Sequence, residues 1–146
     1  MLAFSALSLA PDLDVIAFRF GIPYSAPFGH RGVAHSILVA LVLASVAALA
    51  TPLTTSDRTR SRLWLLCALV AVSHGMLDTL TDGGLGIALF WPFSNRRYFA
   101  PWTPIPVAPI GARMFTPGGV RVVLIEALQF APLLLWSLWP RRRSAS

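Results

Sequence analysis

Lysine is absent from this 146-residue chain, cysteine occurs once, and charge of either sign is sparse. Charged residues make up 12% of the sequence, roughly half the share usual in soluble domains. Hydrophobic residues make up 55%, and the mean hydropathy is +0.67. That balance excludes an ordinary soluble domain and points to a membrane protein. The lone cysteine, Cys67, sits inside an apolar run. It forms no internal disulfide and reads as a small core residue. All twelve cationic side chains are arginines, set against six acids for a net charge of +6. They lie between the apolar runs and not as a stripe on an amphipathic helix, which favours a membrane over a nucleic-acid partner. The start lacks a basic n-region, so no cleavable signal peptide is expected. There is no internal repeat and no low-complexity tract, and the length suits a single domain over 1–146.

Three apolar runs have spanning length: Val33 to Ala50, Leu63 to Leu80 and Val120 to Trp139. A hydrocarbon core of about 30 Å needs roughly 20 helical residues, and lipid tolerates no unsatisfied backbone, so all three are predicted as transmembrane helices. Thr51-Pro52 closes the first, Gly83-Gly84 closes the second, and Pro132 is expected to kink the third. The opening "MLAFSALSLAPDLD" has only about ten apolar residues before Pro11, too few to span. It reads as the end of a helix that either begins before Met1 or enters only part of the bilayer. Between the second and third runs lies a long connection, residues 83–119. Its prolines (Pro92, Pro101, Pro104, Pro106, Pro109 and Pro117) exclude a regular helix. Its aromatics Trp91, Phe93, Tyr98, Phe99 and Trp102 suit an aromatic belt at the membrane surface, or a lid over a lipid-like substrate.

With the spans as antiparallel neighbours, the polar residues sort by end. One end holds Asp57, Arg58, Arg60, Arg62 and Arg141, Arg142 and Arg143. The other gathers Asp12, Asp14, His30, His35, His74, Asp78, Asp82 and Glu126, which are all three histidines and five of the six acids. His74 and Asp78 are four apart and share a helix face. Ionisable groups in a membrane are costly and usually functional. Asp78 and Asp82 also sit near a helix C-terminus, where the macrodipole disfavours negative charge. A divalent cation or arginines should compensate.

Imidazole and carboxylate side chains together suit zinc first, and manganese or iron as well. The candidate ligands are Asp12, Asp14, His30, His35, His74 and Asp78. Two carboxylates two residues apart face one way in extended backbone, so Asp12 and Asp14 are expected side by side. Carboxylates can also bridge two cations about 3.5–4 Å apart, which activates water for phosphoester hydrolysis. Asp14 is the candidate base. Arg31 is expected in a catalytic role and Arg96 and Arg97 in substrate binding, gripping a phosphate through forked hydrogen bonds. Blander readings stand beside these. The His/Asp set could be a polar network that holds helices together. Arg96 and Arg97 could snorkel at the interface, Asp82 could be a solvated helix end, and Glu126 suits an ion pair with Arg121 or another arginine better than a metal.

The strings "PDLD", "GHRGVAHS", "SHGMLDTLTDGGLGIALFWPFSNRRYF" and "PIPVAPIG" resemble the YdjM-like family of inner-membrane, LexA-associated proteins. The resemblance runs from about residue 5 to 135. It implies an inner-membrane protein with metal-dependent hydrolase chemistry. More distantly, an aspartate, a later histidine and HxxxD are similar to zinc-dependent phospholipase C and P1-type nucleases. The matching positions are Asp12 or Asp14, His30, and His74 with Asp78. The chain departs from both patterns. Family members tend to carry a further histidine-bearing helix before PDxD, and the phospholipase-like enzymes have later histidine and glutamate ligands. No histidine follows Asp78, and Glu126 is the only acid beyond Asp82, so one or two cations are expected instead of three.

The expectation is therefore an all-α integral membrane bundle of about three transmembrane helices and a partial N-terminal helix. It would hydrolyse a phosphoester in a lipid or lipid-linked substrate, with no nucleic-acid partner. The arginine-dense 51–62 loop and C-terminal tail would be cytoplasmic, and the site would face the periplasm or exterior. The alternatives are a non-catalytic protein with a structural polar network, or an ion or proton pathway in an oligomer. Polar residues confined to one end argue against a pathway.

Overall fold

The computed structural model describes residues 2–52 and 54–138, and its elements are helical. Helix α1 covers Leu2–Leu9 and runs on into a 3-10 stretch, Ala10–Phe20. A short 3-10 turn, Val33–His35, precedes α2 (Ile37–Leu49), and α3 covers Asp57–Thr79. A last 3-10 turn, Gly111–Phe115, leads into α4 (Pro117–Leu138). An antiparallel bridge pairs Ile87 with Tyr98.

Two serine caps set the central helices. Ser36 Oγ accepts from the Val39 N–H at 3.2 Å, and Ser56 Oγ accepts from the Thr59 N–H at 3.3 Å. Each satisfies an orphan donor of the first turn. Asp57 follows the second cap and complements the helix dipole. These caps move both predicted boundaries. The first apolar run becomes helical only at Ile37, because Val33–His35 winds as a 3-10 turn ahead of the cap. The second helix begins six residues before the predicted Leu63, so Arg58, Arg60 and Arg62 lie on α3 and not in a loop.

Small residues hold α2 against α3. Ala40, Ala44 and Ala48 are the buried residues of α2, and Cys67, Ala68, Ala71, Gly75 and Thr79 those of α3. Phe4 and Leu7 of α1 pack on the Ala44–Cys67–Ala68 cluster. The Trp64 Nε1–H donates to Ser45 Oγ at 3.0 Å across the pair. The large apolar side chains point the other way: Leu38, Val42, Val46 and Leu49 on α2, and Leu65, Leu69 and Met76 on α3, are all exposed. Gly75 is a glycine that close approach requires. A Cβ on Gly75 would lie 2.9 Å from the His35 carbonyl oxygen, so only glycine lets the chain before α2 touch α3 there.

Among the described residues, no helix is long and apolar enough to cross a membrane. Helix α2 has 13 residues, about 20 Å at 1.5 Å per residue. Helix α3 has the length, but charged side chains fill its first turns, and His74 and Asp78 fall in its last. The three predicted spans thus become one short apolar helix and two long helices interrupted by polar groups.

The chain divides into two compact units, Met1–Thr103 and Pro104–Ser146. The first half of the long connection is built into the first unit. Ile37 N–H donates to the Leu89 carbonyl, Ala88 N–H to that of Arg31, and Ala100 N–H to that of Thr79. Ile87, Ala88 and Leu89 are buried, whereas Phe93 and Trp102 are 92% and 73% exposed. In the second unit the Gln129 amide donates to the Pro104 carbonyl at 3.0 Å, tying the proline-rich segment to α4. Pro132 lies inside α4. Glu126 belongs to this unit and forms no ion pair with Arg121 among the described residues. The C-terminal arginines Arg141, Arg142 and Arg143 lie outside the described residues.

Candidate metal centre

Four side chains from three segments converge at the C-terminal end of α3. Asp12 comes from the 3-10 stretch, His35 from the turn before α2, and His74 and Asp78 from successive turns of α3. His35 Nε2 lies 3.2 Å from His74 Nε2, 3.4 Å from Asp12 Oδ1 and 3.3 Å from Asp78 Oδ2. His74 Nε2 is 3.5 Å from Asp12 Oδ1 and 3.8 Å from Asp78 Oδ2. A tetrahedral zinc site with bonds of 2.0–2.1 Å spaces its ligand atoms about 3.4 Å apart. The observed separations surround that value, so the donor set fits a divalent cation in number, chemistry and spacing. Asp78 Oδ2 is buried without a hydrogen-bond partner, so it is available to a cation.

Asp14 and His30 fall in a second group, Asp14–His30–His35. Asp14 Oδ1 accepts from His30 Nδ1 at 2.5 Å, and Asp14 Oδ2 accepts from the Arg31 backbone N–H at 3.0 Å. The same Oδ2 is 3.0 Å from His35 Nδ1, at ion-pair distance but off the hydrogen-bond line. Asp12 and Asp14 are therefore not side by side. A 3-10 helix turns once every three residues, so side chains two apart diverge by about a third of a turn. Asp12 meets the Nε2 edge of His35, and Asp14 meets the Nδ1 edge. Both oxygens of Asp14 are engaged, Oδ1 by His30 and Oδ2 by the Arg31 backbone N–H.

Burial raises the Asp14 carboxyl pKa, but the His30 and His35 imidazoles outweigh it and hold the group below the usual carboxylate range. Burial likewise opposes ionisation of Asp12, and His35 and His74 overcome it and hold its carboxyl far down. Both are carboxylates at neutral pH, the form a cation requires. Asp12 is also the open side of the cluster, with 44% of its side chain exposed against none for His35.

The predicted phosphate-gripping arginines occupy other positions. Arg31 is buried and takes the left-handed backbone conformation at φ 61°. Its guanidinium donates to Thr81 Oγ1 at 2.8 Å, the Gly83 carbonyl at 3.1 Å and Asp78 Oδ1 at 3.3 Å. It is the counter-cation that a carboxylate at a helix C-terminus calls for. Arg97 donates from both terminal nitrogens to the carbonyls of His30, Gly86, Tyr24 and Ala26, at 2.9–3.3 Å. Those bonds use every terminal N–H, so Arg97 clamps the 24–30 turn and is not left for a substrate. Arg96 is exposed, with its guanidinium 5.6 Å from the Tyr98 ring centre.

Sequence reasoning missed Tyr24 and Thr81. The Tyr24 ring stands edge-on to His30 at 5.4 Å and carries the Arg97 guanidinium at 5.6 Å from its centre. No spacing rule ties residue 24 to residue 97. Thr81, one residue before Asp82 in the turn after α3, had a readable signal in its neighbours.

Comparison with known proteins gives the chain a family. A family model described as YdjM inner membrane protein matches residues 1–143. The inner membrane protein YbcI of Escherichia coli (strain K12) is 40% identical over 148 residues, covering 94% of this chain and 81% of the relative. No solved structure matches, and the distant likeness to phospholipase C and P1-type nucleases finds no support in the comparisons. The chain belongs to the YdjM family of inner membrane proteins.

Proposed function

We propose that this protein is a membrane-embedded, metal-dependent hydrolase of a phosphoester in a lipid or lipid-linked substrate. The observation that carries the reading is the four-atom cluster of Asp12, His35, His74 and Asp78 at 3.2–3.8 Å spacing. A divalent cation held there, zinc before manganese or iron, supplies Lewis acidity: it activates water and offsets charge developing on a phosphoryl group. The chain's own residues do the rest. His74 and Asp78 are fixed by α3, Arg31 neutralises Asp78 from behind, and Asp12 leaves the centre open on one side to water and substrate. Exposed Arg96 is the remaining arginine of the predicted trio able to meet a phosphate.

Membrane embedding is supported by packing that is reversed relative to a soluble core. Alanines and glycine face inward and large apolar side chains face outward on α2 and α3, as in helices that pack within lipid. An apolar groove of about 300 Å³ at the start of α2, lined by Ile37, Leu38, Leu89, Phe90, Trp91 and Phe93, suits an acyl chain two residues along from His35. Sixteen residues separate Arg62 from Asp78 on α3, about 24 Å of helix. That is shorter than the hydrocarbon core of about 30 Å, so the site is drawn in below one membrane surface. The arginines of α3 mark the cytoplasmic side, and the site faces the periplasm.

One feature favours a second reading. Four protein ligands at tetrahedral spacing are the arrangement of a closed structural zinc site, whereas catalytic sites keep a position open. The variant Asp12→Asn separates the two. In the hydrolase reading the purified protein cleaves model phosphodiesters or lipid phosphoesters in mixed micelles. Asp12→Asn lowers that rate on the order of a hundredfold while His35, His74 and Asp78 still hold the cation. A wild type that binds metal, cleaves none of these substrates and melts at a lower temperature in Asp12→Asn indicates the structural site.

A further inference from the structure

We propose that Asp14 and His30 are not ligands but a positioning pair that fixes His35 in the tautomer that presents Nε2 to the cation. The inference rests on the metal-centre reading and adds what holds its most buried ligand. His35 has two ring nitrogens with different surroundings. Nε2 lies in the four-atom cluster, and Nδ1 lies 3.0 Å from Asp14 Oδ2. A neutral imidazole carries its proton on either nitrogen, and the partner of one decides which other is free to ligate. A carboxylate at Nδ1 keeps the proton there and leaves the Nε2 lone pair to the metal. The 3.0 Å separation is already within hydrogen-bond length.

His30 then holds Asp14. Its Nδ1 meets Asp14 Oδ1 at 2.5 Å. Two ligands of one cation, with bonds of about 2.0–2.2 Å and a right angle between them, stay near 2.9 Å apart or more. The His30–Asp14 contact is shorter, the spacing of a direct hydrogen bond. His30 is itself confined: its ring stands edge-on to Tyr24 at 5.4 Å and to Phe18 at 6.2 Å, and its carbonyl is held by Arg97. With the Arg31 backbone N–H on Asp14 Oδ2, the carboxylate has one orientation, and His35 inherits it.

The test uses the full chain in detergent, zinc as the probe, a chromophoric chelator as competitor, and long-range nitrogen–proton NMR of labelled histidines. The expected wild type binds one zinc, with His35 protonated at Nδ1 and ligated through Nε2. Asp14→Asn and His30→Ala keep that stoichiometry but lose affinity, roughly 10- to 100-fold. His30→Asn, which returns an N–H donor near the Nδ1 position, recovers most of the loss and keeps the test decisive if another variant fails to fold. Unchanged affinity in both Asp14→Asn and His30→Ala, or His35 ligation through Nδ1, overturns the proposal. So does loss of one whole zinc equivalent from a two-zinc wild type, which would make Asp14 and His30 ligands after all. A folded wild type that binds no zinc fails earlier and overturns the metal-centre reading itself.

Discussion

Replacing His74 and Asp78 together with alanine is expected to empty the metal centre. The two side chains supply half of the four converging atoms, and both come from α3, the longest element of the first unit. Asp12 and His35 remain, one of them half open to solvent, and two ligands do not retain zinc through purification and dialysis. Alanine is the best helix former, so α3 itself is expected to persist. Elemental analysis of the detergent-purified proteins checks the outcome: about one equivalent in the wild type, since the second group is directly hydrogen-bonded, and none in the double variant. Equal metal contents in the two proteins would place any bound cation elsewhere.

The largest expected effect on stability comes from Arg31→Ala. The side chain is buried and joins Asp78, Thr81 and the Gly83 carbonyl, so its removal strands a carboxylate at a helix C-terminus. Breaking a buried pair on one side typically costs about 3–5 kcal/mol; the left-handed backbone at φ 61° strains arginine and alanine alike and does not enlarge the difference. Arg31→Lys keeps a charge but loses the fork that reaches three acceptors, and is expected to recover only part of the loss. Unfolding followed by circular dichroism in detergent checks both. Saturating zinc should narrow the gap between variant and wild type, because a cation at Asp78 takes over part of the compensation. A fold as stable in Arg31→Ala as in the wild type would show that Asp78 needs no counter-cation.

Much of the site could be read from residue spacing. HxxxD puts His74 and Asp78 on one face of any helix, and antiparallel packing brings the start of α2 to the end of α3, so His35 had to arrive nearby. The division of labour between Asp12 and Asp14 could not be read, because it depends on a 3-10 stretch where extended backbone was expected. The roles of Arg31 and Arg97 were hidden for a similar reason. A left-handed residue and a set of turn carbonyls gathered from residues 24–30 and 86 leave no periodic trace. The helix limits were misplaced where hydropathy was weighed above capping. Ser36 and Ser56 decide those starts, and one of them makes an arginine-bearing segment the beginning of a helix. The excess of alanine in the first apolar run was visible, but only the packing of α2 on α3 shows that alanine faces in and leucine and valine face out.

The central claim is that Asp12, His35, His74 and Asp78 form one cation site. X-ray absorption spectroscopy on the zinc-loaded, detergent-purified wild type tests it most directly. The account predicts a shell of about four nitrogen and oxygen atoms at roughly 2.0–2.1 Å, with the outer-shell scattering of two imidazoles. A shell of water and carboxylate oxygens without imidazole, or a folded protein that retains no zinc, would contradict it.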